Sequence, residues 1–451
     1  MSRAIVIGGG ADALVAAHLL ARRGEVLVIS ENQSLSHSGW VPPGVVGALR
    51  LEGLTLQSPD PWISAPLPAG GRLELWRDMA RSVESIRRSS VRDAARWPEF
   101  CERMARLAQF LEAIYTAPPP DPLSLRFALR ARRLGKQGLE DLLRILPMPV
   151  AELLDDWFES DALKGALGAA GVMHLQQGPR SGGTAFRLLH HHVGSPAGVF
   201  RPPRSNVVEV LRKRPGVEMQ QGEVVRISVR DGRVTGVALK GGQEIAASLV
   251  VSGADPRRSL LELVEPGWLD PELARALRHV RRRGVAARVT LKLDRSPGFS
   301  TLVLAPSLDY LERGYDDAKY GRVSQRPYLE AHCDERHRVE VHVQYVPYGA
   351  DCSSIAETVV ALLSEHWGDA AADEVESLSP RELEAREGWP GGQPHHAELT
   401  LDQALWMRPL PELARYRTPI GGLWLCGPGM HPGAGVAGAS GFNCVREILH
   451  G

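Results

Sequence analysis

The sequence predicts an α/β fold, a doubly wound parallel sheet joined to a second domain of mixed α+β character. Three observations carry that expectation: a strand, glycine turn, helix and strand at the amino end, a glycine-rich segment feeding the last helix, and alternating strands between positions 285 and 346. At 451 residues the chain is longer than the roughly 250–300 that one hydrophobic core supports. Two domains are the least it needs.

In chain order, Ala4 to Ile7 is a short apolar run, Gly8-Gly9-Gly10 turns it, and Ala13, Leu14, Ala16, Ala17, Leu19 and Leu20 give a small-residue helical face. Arg22-Arg23-Gly24 closes that helix, and Val26 to Ile29 is the next strand. The unit is βαβ, and Gly8-x-Gly10-x-x-Ala13 fits the G-x-G-x-x-G/A pattern of a Rossmann-type dinucleotide site. Gly8 permits the tight turn, Gly10 with the adjoining Ala11 brings backbone up to a pyrophosphate, and Ala13 lets the helix pack closely on the strand. The second strand of such a unit normally ends in an acid that holds the ribose hydroxyls; here Ser30 stands in that place and Glu31 follows. Glu31 is either the ribose acid or a solvated turn residue.

From position 72 to 195 apolar residues recur at helical spacing, as in Met79, Val83 and Ile86, until Pro118-Pro119-Pro120 breaks the run. Val285, Ala287, Val289, Leu291 and Leu293 alternate instead, as do Val339, Val341, Val343 and Tyr345, and mark half-buried strands. Asp231-Gly232 between two alternating strands predicts a tight hairpin. The glycine-rich parts interleave with these regions, so the expected domains are discontinuous: 1–71, 198–260 and 415–451 for a cofactor, 72–197 and 261–414 for a substrate, as a helical cap over a sheet. The pocket belongs where the two meet.

Gly421-Gly422-Leu423-Trp424-Leu425-Cys426-Gly427 is a turn feeding a short strand that stops on glycine, and Pro428 to Gly441 carries five more glycines before a terminal helix through Val445 and Ile448. So many glycines ahead of a helix bring backbone close to a ligand. The stretch from Asp402 to Asn443 resembles the end of the phytoene desaturase family of FAD oxidoreductases, closest to its pyridine nucleotide-disulphide oxidoreductase domain-containing branch. The passages Val150 to Gly194 and Gly222 to Pro256 look like the same branch. The resemblance implies FAD as cofactor, with Gly427, Pro432, Gly433, Gly435 and Val436 along the flavin and its pyrophosphate and the backbone at Val224 and Val225 against the adenine. It implies oxidation of an apolar, polyene-like or lipid-like small molecule. Two departures stand out: Ser34 to Gly47 lacks the family's Arg-x-Gly-Gly turn, and Arg201-Pro202-Pro203-Arg204-Ser205-Asn206 replaces its Gly-Gly-Met turn. They keep open a non-redox flavin isomerase and a non-catalytic binding or carrier protein.

Flavin chemistry asks the protein for one proton-handling group. His191, from the run His190-His191-His192, and His431, inside the glycine segment, are the candidates for it, against packing or loop-holding roles for each. His395-His396 lacks a third ligand, so no metal is expected. Lys plus Arg and Asp plus Glu both number 53, which leaves no net field to draw in nucleic acid. The scattered, odd-numbered cysteines fit a reducing compartment, and no run approaches the roughly 18 apolar residues of a membrane span. A cytoplasmic protein is expected, with the basic run Arg126 to Lys136 as its one route to peripheral membrane contact.

Overall fold

The computed structural model describes residues 3–31, 39–119, 127, 129, 132–368 and 370–450. Residues 34–38 of the divergent turn, and positions 126, 128, 130 and 131 of the basic run, lie outside the described residues.

Strand β1 (Ala4–Ile7), helix α1 (Ala11–Leu20) and strand β2 (Val26–Ser30) form the expected unit. Five strands make one parallel sheet in the order Leu423–Leu425, Leu249–Ser252, β1, β2, Glu218–Gln221. A parallel sheet is covered on both faces, which is why β1, β2 and Leu249–Ser252 are unbroken apolar runs. Their side chains share one core with Leu211, Leu277 and Val445 from the flanking helices. The fold class is α/β with a Rossmann-type sheet, assembled from both ends of the chain and its middle.

Beside it, Val224–Arg230, Arg233–Leu239 and Glu244–Ala246 form a small antiparallel sheet. Its hairpin turns at Asp231 (φ 50°) and Gly232 (φ 71°), both in the left-handed region that a two-residue turn demands. The second domain holds a five-stranded antiparallel sheet ordered Thr301–Leu304, Leu329–Cys333, Arg338–Gln344, Ala286–Leu293, Ala372–Leu378. Val289, Leu291, Val339, Val341 and Val343 point to one face, where they pack on the helix Ile355–Ser364. The opposite face carries Arg288, Thr290, Glu330, His332, Glu340 and His342. That polar face is turned toward the interior of the molecule.

Among the described residues from 79 to 192 the regular elements are helices. Val91–Tyr115 ends just before Pro118-Pro119, and Asp161–Val172 packs against Thr184–His192. Trp97, Phe100, Phe158 and Phe200 stack among them, with ring centroids 5.0 to 6.3 Å apart. Among the described residues no helix is long and apolar enough to cross a membrane.

Candidate cofactor and substrate cavity

The site begins where three neighbouring parallel strands stop on glycine. Gly8 turns the chain at φ +111°, a conformation that side chains rarely adopt. Gly253 follows the strand Leu249–Ser252, and a Cβ there would stand 3.0 Å from both Ala13 Cβ and Ile7 O. Gly427 (φ +92°) follows the strand Leu423–Leu425, and its Cβ would meet Gly253 O at 2.5 Å. Backbone therefore packs on backbone across the carboxyl edge of the sheet, where open α/β sheets receive their ligands. Gly253 was legible in the same way as Gly427, as a glycine that stops an apolar run.

The two ends of the chain meet at this edge. Trp40 N donates to Gly435 O at 3.0 Å and Ala437 N donates to Trp40 O at 2.7 Å. A Cβ on Gly39 would lie 2.1 Å from Gly435 O, so only glycine fits that crossing. The terminal helix Ala439–His450 starts beside α1, with Asp12 beneath its first turn: Ser440 N donates to Asp12 Oδ1 at 3.1 Å. Burial raises the Asp12 carboxyl to about 7, against the pull of the Gly441, Ser440 and Gly438 amides.

A cavity of 680 Å³ opens from this edge. Gly10, Ala11, Ala13, Gly427, Gly435 and Val436 line it, and so does His191 on the far side. Gly10 caps α1 in an extended conformation, and a Cβ on it would meet nothing within 4 Å. Open, unencumbered backbone at the start of a helix is what a diphosphate needs, so these residues fit the phosphate part of FAD.

Other expected residues stand outside the lining. Gly8 lies behind it, and Pro432 and Gly433 (φ +101°) belong to the loop that supports it. Ser30 ends β2 half-buried, packed so close to Gly9 that a Cβ on Gly9 would meet its Oγ at 2.6 Å. Glu31 pairs with Arg258, whose guanidinium also comes within 4.0 Å of Glu223. Val224 is buried and Val225 is 43% exposed.

The histidine run is divided by helix geometry, since neighbours on a helix point to different sides. His190 Nε2 donates to Ala434 O at 2.9 Å, so its Nδ1 accepts from the Tyr115 hydroxyl at 2.9 Å. That ring is neutral and fully engaged; burial and Arg187 push its pKa down to about 3. His192 turns into the aromatic core, 4.7 Å from the Phe200 ring. His191 alone of the three faces the cavity, and burial, then Arg187, hold it well below the ordinary histidine range. His431 is fully buried and outside the lining; its Nε2 donates to Ile114 O at 3.2 Å and ties the glycine loop to the helix Val91–Tyr115. Arg408, also fully buried, donates to Pro428 O at 2.6 Å and His395 O at 2.7 Å and holds the same loop from the other side.

The deeper wall comes from the polar face of the antiparallel sheet, together with His174, Arg187, Arg201 and His395. Arg201 forms a buried pair with Glu330 at 2.6 Å, and Tyr328 Oη donates to Glu330 Oε2 at 2.9 Å. Burial opposes ionisation of Glu330, but Arg201 and His332 outweigh it and carry the carboxyl well below its ordinary value. His174 stands edge-on to His342 at 4.6 Å and to His395 at 5.6 Å. The sequence named His395 only as half of a rejected metal pair; Arg288, Thr290, Glu340 and His342 occupy the alternate positions of strands recognised as half-buried, whereas the strand Leu329–Cys333 that carries Glu330 and His332 was not marked. Among the described residues no group of three His, Cys, Asp or Glu side chains could hold a metal ion.

The model of the flavin containing amine oxidoreductase family matches residues 47–449. The chain is 27% identical to pyridine nucleotide-disulfide oxidoreductase domain-containing protein 2 of Rattus norvegicus, over 99% of this chain and 93% of that protein. It is 23% identical to the neurosporene-forming phytoene desaturase of Cereibacter sphaeroides, over 58% of this chain and 54% of that protein. A putrescine oxidase redesigned at its cofactor site shares the fold with a TM-score of 0.62 and 13% identity, over 100% of this chain and 98% of that one.

Proposed function

The chain belongs to the flavin containing amine oxidoreductase family, and from that premise we propose that it binds FAD across the glycine edge of the parallel sheet and oxidises a small molecule held against the antiparallel sheet. The family is one of oxidoreductases that work with FAD; the retention of FAD by this chain, and its substrate, are what is proposed. Segments 1–71, 198–260 and 415–451 hold the cofactor, and 72–197 and 261–414 hold the substrate. The observation that carries the reading is the convergence of Gly8, Gly253 and Gly427 with the Gly39–Gly435 crossing on one 680 Å³ cavity.

Bound FAD would accept hydride from the substrate, chemistry that belongs to the cofactor. The protein's residues do the rest. Gly10 and the amides that open α1 receive the diphosphate, and Ser30, Glu31 and the backbone at Val224 and Val225 lie on the adenosine side. Ala170, Met173, Phe200 and Trp389 line the cavity and receive an apolar body, in keeping with the apolar substrate inferred from the sequence. His191 is the histidine of the run that faces the cavity, and it is the candidate to exchange a proton with the substrate.

Purified protein is expected to be yellow, or to become yellow on titration with FAD, and anaerobic substrate is expected to bleach it. A colourless protein that binds no FAD sinks the proposal. If it also copurifies an apolar ligand, the carrier reading replaces it, favoured then by the engagement of Glu31 with Arg258. Turnover without bleaching would point to an isomerase instead.

A further inference from the structure

Six arginines line the cavity, and three of them have carboxylate partners: Arg201 with Glu330, Arg288 with Glu387 and Arg386 with Glu376. Of the other three, Arg338 is exposed and Arg204 half-buried, and Arg187 is the one that is buried. It stands on the helix Thr184–His192, lines the cavity and is only 2% exposed. Among the described residues it forms no ion pair, and its Nε and Nη1 have no hydrogen-bond partner.

Its one bond explains its neighbours. Arg187 Nη2 lies 2.9 Å from His395 Nε2. A guanidinium has only donors, so the imidazole nitrogen accepts, and His395 is fixed as the neutral tautomer that carries its proton on Nδ1. His174 and His191, near enough to feel the same charge, are also held neutral. The nearby carboxylate of Glu330 is already engaged by Arg201, and among the described residues no carboxylate forms an ion pair with Arg187.

We propose that Arg187 receives the carboxylate of the substrate, so that the cavity is built for an apolar acid rather than a plain hydrocarbon or an amine. The planar guanidinium suits a carboxylate because it can present two parallel N–H groups to two oxygens. The apolar wall of Ala170, Met173, Phe200 and Trp389 then takes the body of the molecule. A bound anion repays the desolvation of the guanidinium, a cost that a neutral ligand leaves standing. This inference rests on the oxidoreductase reading for the word substrate, but the anion preference can be measured without flavin.

Isothermal calorimetry with octanoate, octanol and octylamine, on FAD-loaded and on FAD-free protein, tests it. Octanoate should bind at least about tenfold more tightly than either chain-matched probe, a difference of about 1.4 kcal/mol. Arg187→Met should abolish that preference without weakening FAD, and Arg187→Lys, which keeps charge but loses the fork, should recover part of it. Equal binding of the three probes by the wild type overturns the proposal whether or not flavin is present. So does a preference that survives in Arg187→Met, or an Arg187→Met protein whose only defect is in FAD binding. Should the Met variant not fold, the wild-type comparison and the Lys variant still decide. FAD-free protein that prefers octanoate but takes up no FAD would preserve the anion site while removing the oxidoreductase reading.

Discussion

Asp12 carries two opposed demands in one side chain. Its carboxylate accepts from the amide of Ser440 at the start of the terminal helix, a place that favours negative charge. Yet it is buried, and burial dominates, raising its pKa to about 7. The sign of the consequence follows from linkage: the unfolded chain releases this proton near its ordinary value of 3.8, whereas the folded chain keeps it to about 7. The contribution of Asp12 is greatest in acid and is lost as the pH rises between those two values, by up to about 4 kcal/mol. Asp12→Asn keeps an oxygen for the Ser440 amide and removes the ionisation. Chemical denaturation should therefore find the variant more stable than wild type near neutrality and alike near pH 4, to be read as a difference between the two curves. A difference that does not change with pH would show Asp12 to be charged throughout. The same scale shows what the sequence hid. The glycines at strand ends were legible because each follows an apolar run; Arg187 was not, because nothing in Thr184-Ala185-Phe186-Arg187 says that its side chain turns inward without a carboxylate partner.

Among the elements, the contact between α1 and the terminal helix separates two kinds of glycine. A Cβ on Gly441 would fall 1.9 Å from Asp12 O, in backbone that cannot step aside. Gly441→Ala should cost about 1–3 kcal/mol of overpacking, more than the ~1 kcal/mol that alanine gains in a helix. A Cβ on Gly10 points into open space, and its extended conformation suits any residue. Gly10→Ala should leave the unfolding curve within about 0.5 kcal/mol of wild type. Its methyl group would nevertheless occupy the approach of a diphosphate, and FAD should bind at least about tenfold more weakly by fluorescence titration. Unchanged FAD affinity in Gly10→Ala would remove this turn from the cofactor site. The antiparallel sheet gives the matching lesson about legibility. Its alternation correctly announced half-buried strands, but the period of two is blind to what lies over each face. Arg288, Glu340 and His342 would look the same facing bulk water as facing a cavity.

Across the whole molecule the buried histidines set the response to acid. His174, His190, His191, His192, His395, His396 and His431 all have pKa values lowered chiefly by burial, so each is neutral in the fold. They come from helices, loops and the glycine segment, and no single element would reveal them as a group. An unfolded histidine takes a proton near its ordinary value of 6.5, and these do not until the pH is far lower. Their contribution is complete above that value and is lost as the pH falls below it, at about 1.4 kcal/mol per pH unit for each group. Several such groups acting together would consume a stability of roughly 5–15 kcal/mol within about two pH units. The opposite slope from Asp12 is one group against many. The flavin-free protein should therefore lose its folded state cooperatively between about pH 6 and pH 4, seen as coincident loss of far-ultraviolet dichroism and of tryptophan burial. Replacing His192, which fills apolar space beside Phe200 and lies outside the cavity, by Phe should move that midpoint to lower pH, since one protonation site is removed from the unfolded side. A midpoint that stays in place would mean that His192 is not neutral in the fold, and a stability that stays level from pH 7 down to about pH 4 would mean the same for the group.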